Sequence, residues 1–292
     1  MSLPIHIKQH FNTQCLLGEG AFYSPRYNSA FWVDIKGGKV FRLHWHSGEL
    51  ESQTFPEPVC WLAEREGGML FLGCQRSVHI LDPDTWHREL YLDLEQEPVS
   101  NRLNDGKVDR AGRLYFGTMD DEEKQASGSL YLLEDKHQAV PVDTGYLVSN
   151  GPAFSLSGEW LWSVSSAEQV IYRCGLDDSG RITKKQPWIS FSTQMGFPDG
   201  VTVDSQDCLW IAAWQGGGLY RFSPEGEQLA FISLPVERVT SMAFAGEHFD
   251  QLVVTTASIG MDQNALERHP YSGDTFILDV GVAGVATTPC KL

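Results

Sequence analysis

The chain has 292 residues, 42% hydrophobic and 21% charged, an ordinary globular composition that excludes intrinsic disorder and provides for a sizeable core. It carries 22 basic against 38 acidic side chains, a formal charge of −16, which repels nucleic acid and anionic membrane surfaces. No stretch approaches the length of a membrane-spanning helix, and the opening MSLPIHIKQHFN lacks the basic-then-apolar order of a secretory signal. A soluble, cytoplasmic protein, monomeric or weakly dimeric, is therefore expected. Six cysteines (15, 60, 74, 174, 208 and 290) include no C-x-x-C pair, and several sit in apolar runs, as in Val59-Cys60-Trp61 and Cys208-Leu209-Trp210. They read as buried free thiols, not as a disulfide framework or a zinc cage.

The elements recur. Short runs rich in Val, Ile, Phe, Tyr and Trp appear in chain order as AFWVD (30–34), MLFLG (69–73), RLYFG (113–117), EWLWS (159–163), CLWIA (208–212) and QLVVT (251–255). A second run follows each of them: KVFRL (39–43), SVHIL (77–81), SLYLL (129–133), VIYRC (170–174), GLYRF (218–222) and DTFIL (274–278). Most of these lead into turn formers (HSGE, DPDT, EDKH, LDDSGR, SPEGE) and then a third strand-like segment such as RELYLDL or QLAFISL. A further strand precedes the first run of each unit, as GVTVDSQD precedes CLWIA. Four strands repeated six times, at a spacing of about 45 residues, predict a six-bladed β-propeller spanning 1–292 as one all-β domain. A many-stranded β-sandwich would not explain why the two series recur in phase, and no segment sustains a helical apolar period. The segment Ile5-His6-Ile7 is expected to close the ring by completing the blade that ends near Val280.

The innermost strand of a propeller blade begins near the axis. Aligning the repeats places Glu19, Cys60, Asp105, Asn150, Asp199 and Thr240 in equivalent positions at one mouth of the channel. Four of the six precede a glycine (GEGAF, NDGKV, SNGPA, PDGVT), which permits positive φ or close backbone approach. One such pair alone would be a turn former. Four in register bring three carboxylates and an amide to one axis, where unpaired carboxylates would resist ionisation and a hard cation would relieve them.

These residues resemble the senescence-marker-protein-30/gluconolactonase family, which includes regucalcin and bacterial sugar lactonases. The most specific part is Asn101-Arg102-Leu103-Asn104-Asp105-Gly106-Lys107-Val108-Asp109, with Gly112-Arg113 and Gly117-Thr118-Met119 after it. Leu17-Gly18-Glu19-Gly20, Ser149-Asn150-Gly151, Pro198-Asp199-Gly200 with Asp204, and Gly260-Met261-Asp262 add to it. The resemblance implies one divalent ion held by Glu19, Asn150 and Asp199, with Ca²⁺ the first expectation and Zn²⁺, Mn²⁺, Mg²⁺ or Fe²⁺ the alternatives. It implies substrate contacts from Arg102 and Asn104, and from a glutamate best matched by Glu122, with Asp121 and Glu123 as its neighbours. The expected reaction is hydrolysis of an aldonolactone to its aldonic acid, with Asp199 as general base. A phosphotriesterase and a non-catalytic calcium-binding propeller are the competing expectations. Gly20-Ala21-Phe22-Tyr23 departs from the Gly-Pro and Trp usual after the first glutamate, and Pro152-Ala153-Phe154 departs after the asparagine. Every implied ligand stays in place.

Other motifs carry less. His44-Trp45-His46 has no third ligand nearby, Asp82-Pro83-Asp84 lacks the rest of a calcium loop, and Gly216-Gly217-Gly218 reads as a hairpin turn. No G-x-S-x-G or H-E-x-x-H occurs, which argues against a serine hydrolase or a zincin.

Overall fold

The computed structural model describes residues 6–136 and 138–292. They form six sheets of four antiparallel strands, and in five of these the strands run in sequence order from one edge to the other. The inner strands are Gly18–Ser24, Val59–Glu64, Asn101–Val108, Ser149–Phe154, Phe197–Val203 and Val239–Ala245. Each packs against the next, and the last packs against the first, so the sheets form a ring. This is the six-bladed propeller that the repeats predict. The blades are numbered here by the order of their inner strands. The two recurring apolar series are the second and third strands of the blades.

Burial explains the composition of each strand. Inner and second strands are covered on both faces, as in Ser29–Asp34 and Val59–Glu64, and so read as continuous apolar or small runs. Outer strands such as Arg88–Asp93 and Gln228–Ser233 meet water along most of their length, each burying one residue, Leu92 and Ile232. Trp32, Trp61, Trp162 and Trp210 are essentially inaccessible. Trp61 of blade 2 stacks on Phe116 of blade 3 at 5.7 Å, and Trp210 of blade 5 meets Phe244 of blade 6 edge-on at 5.9 Å, so aromatic pairs cement neighbouring blades. Trp61 also lies where a side chain at Gly73 or Gly106 would be: a Cβ there would fall 2.2 or 2.6 Å from its ring. All six cysteines are buried and free, as expected.

The ring closes through His6–Phe11, which pairs with Thr275–Asp279 at the outer edge of blade 6. Ile5 lies outside the described residues, and the closing strand is largely exposed and polar, not the apolar segment anticipated. Backbone pairing, not side-chain burial, seats it there. Asp109 and Asp204, two residues of the family-like motif, serve the turns at the far end. Asp109 accepts from the amides of Ala111 and Arg113, and Asp204 accepts from the amides of Gln206 and Cys208, from Trp210 Nε1 and from Arg221 Nε.

Residues 281–292 were not given a role by the sequence pattern. They cross the far face as a strap: Gly284 pairs with Asp204, Ala286 accepts from Arg110, Thr287 donates to Tyr23, and Cys290 bonds Glu64 and Glu66. Blades 1, 2, 5 and 6 and the end of blade 3's inner strand are all touched. A small cavity of about 90 Å³ remains beneath, lined by Val285–Thr288 and by the ends of the inner strands.

Candidate metal and substrate site

Each inner strand carries a break in its pairing register at the place the alignment selects. The breaks fall between Glu19 and Phe22, Val59 and Trp61, Leu103 and Gly106, Asn150 and Ala153, Pro198 and Val201, and Val239 and Ser241. A bulge re-aims a side chain out of the alternating pleat, here toward the axis. The four glycines serve as expected, in two ways. Gly20 and Gly151 have φ of 60° and 71°, which only glycine adopts without strain. Gly106 and Gly200 allow close approach, since a Cβ on Gly200 would lie 2.7 Å from the Thr240 carbonyl.

At the mouth where the inner strands begin lies a cavity of about 650 Å³, lined by Glu19, Asn150 and Asp199 together with Arg102 and Asn104. These five are brought together, and all are buried. Asp105 faces the other way, lining the small cavity under the strap; Cys60 and Thr240 line neither. Burial pushes the Cys60 thiol up to about 12, which leaves it a neutral filler beside Arg102. Thr240 donates to the Gly18 carbonyl and braces blade 6 against blade 1.

Glu122 is not part of the lining. Its carboxylate is exposed and pairs with Lys124 at 2.7 Å. The loop turns because Asp120 accepts from the amides of Lys124 and Gln125 and Glu123 takes a φ of 55°. Glu123 and Asp121 face the cavity instead. Asp121 Oδ1 receives Lys36 Nζ and Arg102 Nε, both at 2.6 Å. Partial burial opposes its ionisation, but those bonds prevail and hold it below the usual carboxylate range.

A chain of hydrogen bonds orients the amides. Arg102 Nη1 donates to Asn104 Oδ1 at 2.6 Å, Asn104 Nδ2 donates to Asn150 Oδ1 at 2.7 Å, and Asn150 Nδ2 donates to Ser166 Oγ at 2.9 Å. Asn150 Oδ1 keeps a second lone pair. Glu19 and Asp199 form no ion pair with any described residue, and Glu19 accepts one long bond, 3.2 Å, from the Gly20 amide. Burial raises the pKa of both well above the ordinary range. For Glu19 the charges of Asp199 and Asp105 add to it, and for Asp199 that of Asp105. Burial likewise lifts Asp105, to about 6. Two uncompensated carboxylates and an oriented amide oxygen are the donor set of a hard divalent cation, and the residues present fit one.

Sequence reasoning missed Lys36, Trp214 and Arg238, which also line this cavity. A signal existed for two of them. Lys36, Asp121, Ser166, Trp214 and Ile259 all follow or end a second strand, so the loops leaving those strands build the wall of this mouth. One further trio offers metal-ligand atoms among the described residues: Glu57, Cys74 and His79. Arg88 already donates to Cys74 Sγ at 3.0 Å and Glu57 Oε1 at 2.7 Å, and so occupies the place of a cation there.

The fold and this mouth define a propeller with a cluster of oxygen donors at the floor of a cavity of mixed polar and apolar walls. The SMP-30/Gluconolactonase/LRE-like region matches residues 17–258, and the chain belongs to that family. It is 32% identical to 6-deoxy-6-sulfogluconolactonase of Pseudomonas putida, over 93% of this chain and 94% of the relative. It is 32% identical to pentonolactonase XacC of Haloferax volcanii, over 94% of each chain. Among solved structures it is similar to a calcium-binding protein, regucalcin, from Agrobacterium tumefaciens, with a TM-score of 0.93, 27% identity and 98% of each chain covered. Among the described residues no helix is long and apolar enough to cross a membrane.

Proposed function

We propose that the protein hydrolyses a sugar lactone to its acid with one divalent ion held by Glu19, Asn150 and Asp199. The observation that carries this is the convergence of two buried, unpaired carboxylates and an oriented amide on the floor of a cavity able to hold a sugar. Relatives at 32% identity bear lactonase names, and a solved structure of similar fold bears the name of a calcium-binding protein.

When bound, the ion supplies Lewis-acid polarisation of the lactone carbonyl. Asp199 is the general base: ionised, it takes a proton from water as the new O–C bond forms, then returns it to the ring oxygen as the C–O bond breaks. Arg102 and Asn104 keep Asn150 in one orientation and present their remaining polar atoms to substrate hydroxyls. Glu123, which lines the cavity where Glu122 does not, accepts from those hydroxyls in this reading. Arg102, Asn104 and Glu123 in the lining favour a polyol over a phosphotriester, since polar groups left unpaired cost about 1–3 kcal/mol each. The test is a panel of aldonolactones with several divalent metals, following acid release. Absence of turnover with every metal would leave the site a binding site alone.

A further inference from the structure

The cavity contains three cations, and they are not alike. Lys36 and Arg102 share the carboxylate of Asp121. Arg238 has no carboxylate partner among the described residues. Its Nη1 donates to the Ile259 carbonyl, its buried Nε has no hydrogen-bond partner among the described residues, and its guanidinium lies over the Trp214 ring at 5.0 Å. An arginine offers five N–H donors in a planar fork that matches an oxyanion. The contact with Trp214 and the bond to Ile259 hold this fork in place, and only the second spends a donor on the protein.

Position adds to this. Arg238 enters blade 6, whereas Arg102, Asn104, Asp121 and Glu123 belong to blade 3. In a ring of six, blades 3 and 6 face each other across the axis. A sugar whose hydroxyls meet the blade 3 wall therefore extends its far end toward blade 6. That end meets an uncompensated cation beside the apolar Ile259 and Trp214.

We propose that the substrate carries an oxyanion substituent (carboxylate, phosphate or sulfonate) at the end remote from the lactone carbonyl, and that Arg238 binds it. This rests on the lactonase reading of the same site. A neutral aldonolactone would leave the guanidinium without its partner, so the acidic lactone is the preferred substrate.

The experiment compares kcat/KM for gluconolactone with that for its 6-phosphorylated, 6-sulfonated and 6-carboxylated counterparts, in the natural protein and in Arg238→Gln and Arg238→Lys. At least one acidic lactone should exceed the neutral one by tenfold or more, and the best arm identifies the oxyanion. Arg238→Gln should cut that ratio at least tenfold, mainly through KM, and Arg238→Lys should recover part of it. A ratio near one in the natural protein overturns the proposal. So does a ratio that Arg238→Gln leaves unchanged, because an arginine that only pins Ile259 and Trp214 would depress both substrates alike. If no lactone is hydrolysed, the lactonase reading falls by itself, and calorimetry of the ring-opened acids then decides the anion site. Tighter binding of the doubly acidic forms, lost in Arg238→Gln, upholds it; equal binding refutes it.

Discussion

Chelate the protein and raise the pH from about 4.5 to about 7.5, and its resistance to urea should fall. Burial lifts Asp105 from an ordinary 3.8 to about 6. Below the first value both folded and unfolded chains hold the proton. Between the two, the unfolded chain has released it and the folded chain has not, so rising pH favours unfolding. At about 1.4 kcal/mol for each pH unit, Asp105 alone costs the fold about 2 kcal/mol between about pH 4.5 and its folded value. Glu19 and Asp199 are raised in the same direction and deepen the loss. Asp82, Asp120 and Asp177 are held low by hydrogen bonds, and the stability they add disappears only as the pH falls through their own lower range. They do not offset the trend in this window; His79, whose protonation burial disfavours, opposes it there in part. Urea melts followed by tryptophan fluorescence, with chelator and with excess Ca²⁺, measure the effect. Ca²⁺ should flatten the profile at high pH, and Glu19→Gln should shrink the fall in chelator. A chelated protein whose stability stays level or rises across this window would refute the account of buried carboxylates that burial raises.

Asp199→Asn keeps an oxygen ligand but cannot take a proton, so kcat should drop by about 10²-fold or more while metal affinity, read by calorimetry, falls far less. Glu123→Ala should raise KM for a sugar lactone several-fold, whereas Glu122→Ala should leave steady-state kinetics within error, because its carboxylate faces Lys124 and solvent. Gly73→Ala places a methyl 2.2 Å from the Trp61 ring. The substitution should cost about 1–3 kcal/mol, as overpacking does, and appear as a lower Tm.

The propeller was legible because its information is local and repeated: each blade restates the same strand lengths and turn chemistry. The channel-mouth positions were legible for the same reason, and each coincides with a bulge. Which way a bulged residue points was not. Asn104 and Asp105 are adjacent, yet one faces the large cavity and the other the small one. The choice between Glu122 and Glu123 turned on a loop φ set by Asp120, a tertiary detail that spacing does not encode. Lys36 and Arg238 escaped notice because their meaning depends on residues more than eighty positions away or on the opposite blade. The closing segment was assigned to the right blade, but HIKQHF is polar and pairs through its backbone, a contact that apolar patterning does not detect.

The strap of residues 281–292 lies over the end of the channel opposite the cavity. It narrows that end, so the wide mouth at the cavity is the main doorway. On the proposed function, lactone and acid would share that doorway, and accumulated acid would slow turnover by competing with the next lactone for it.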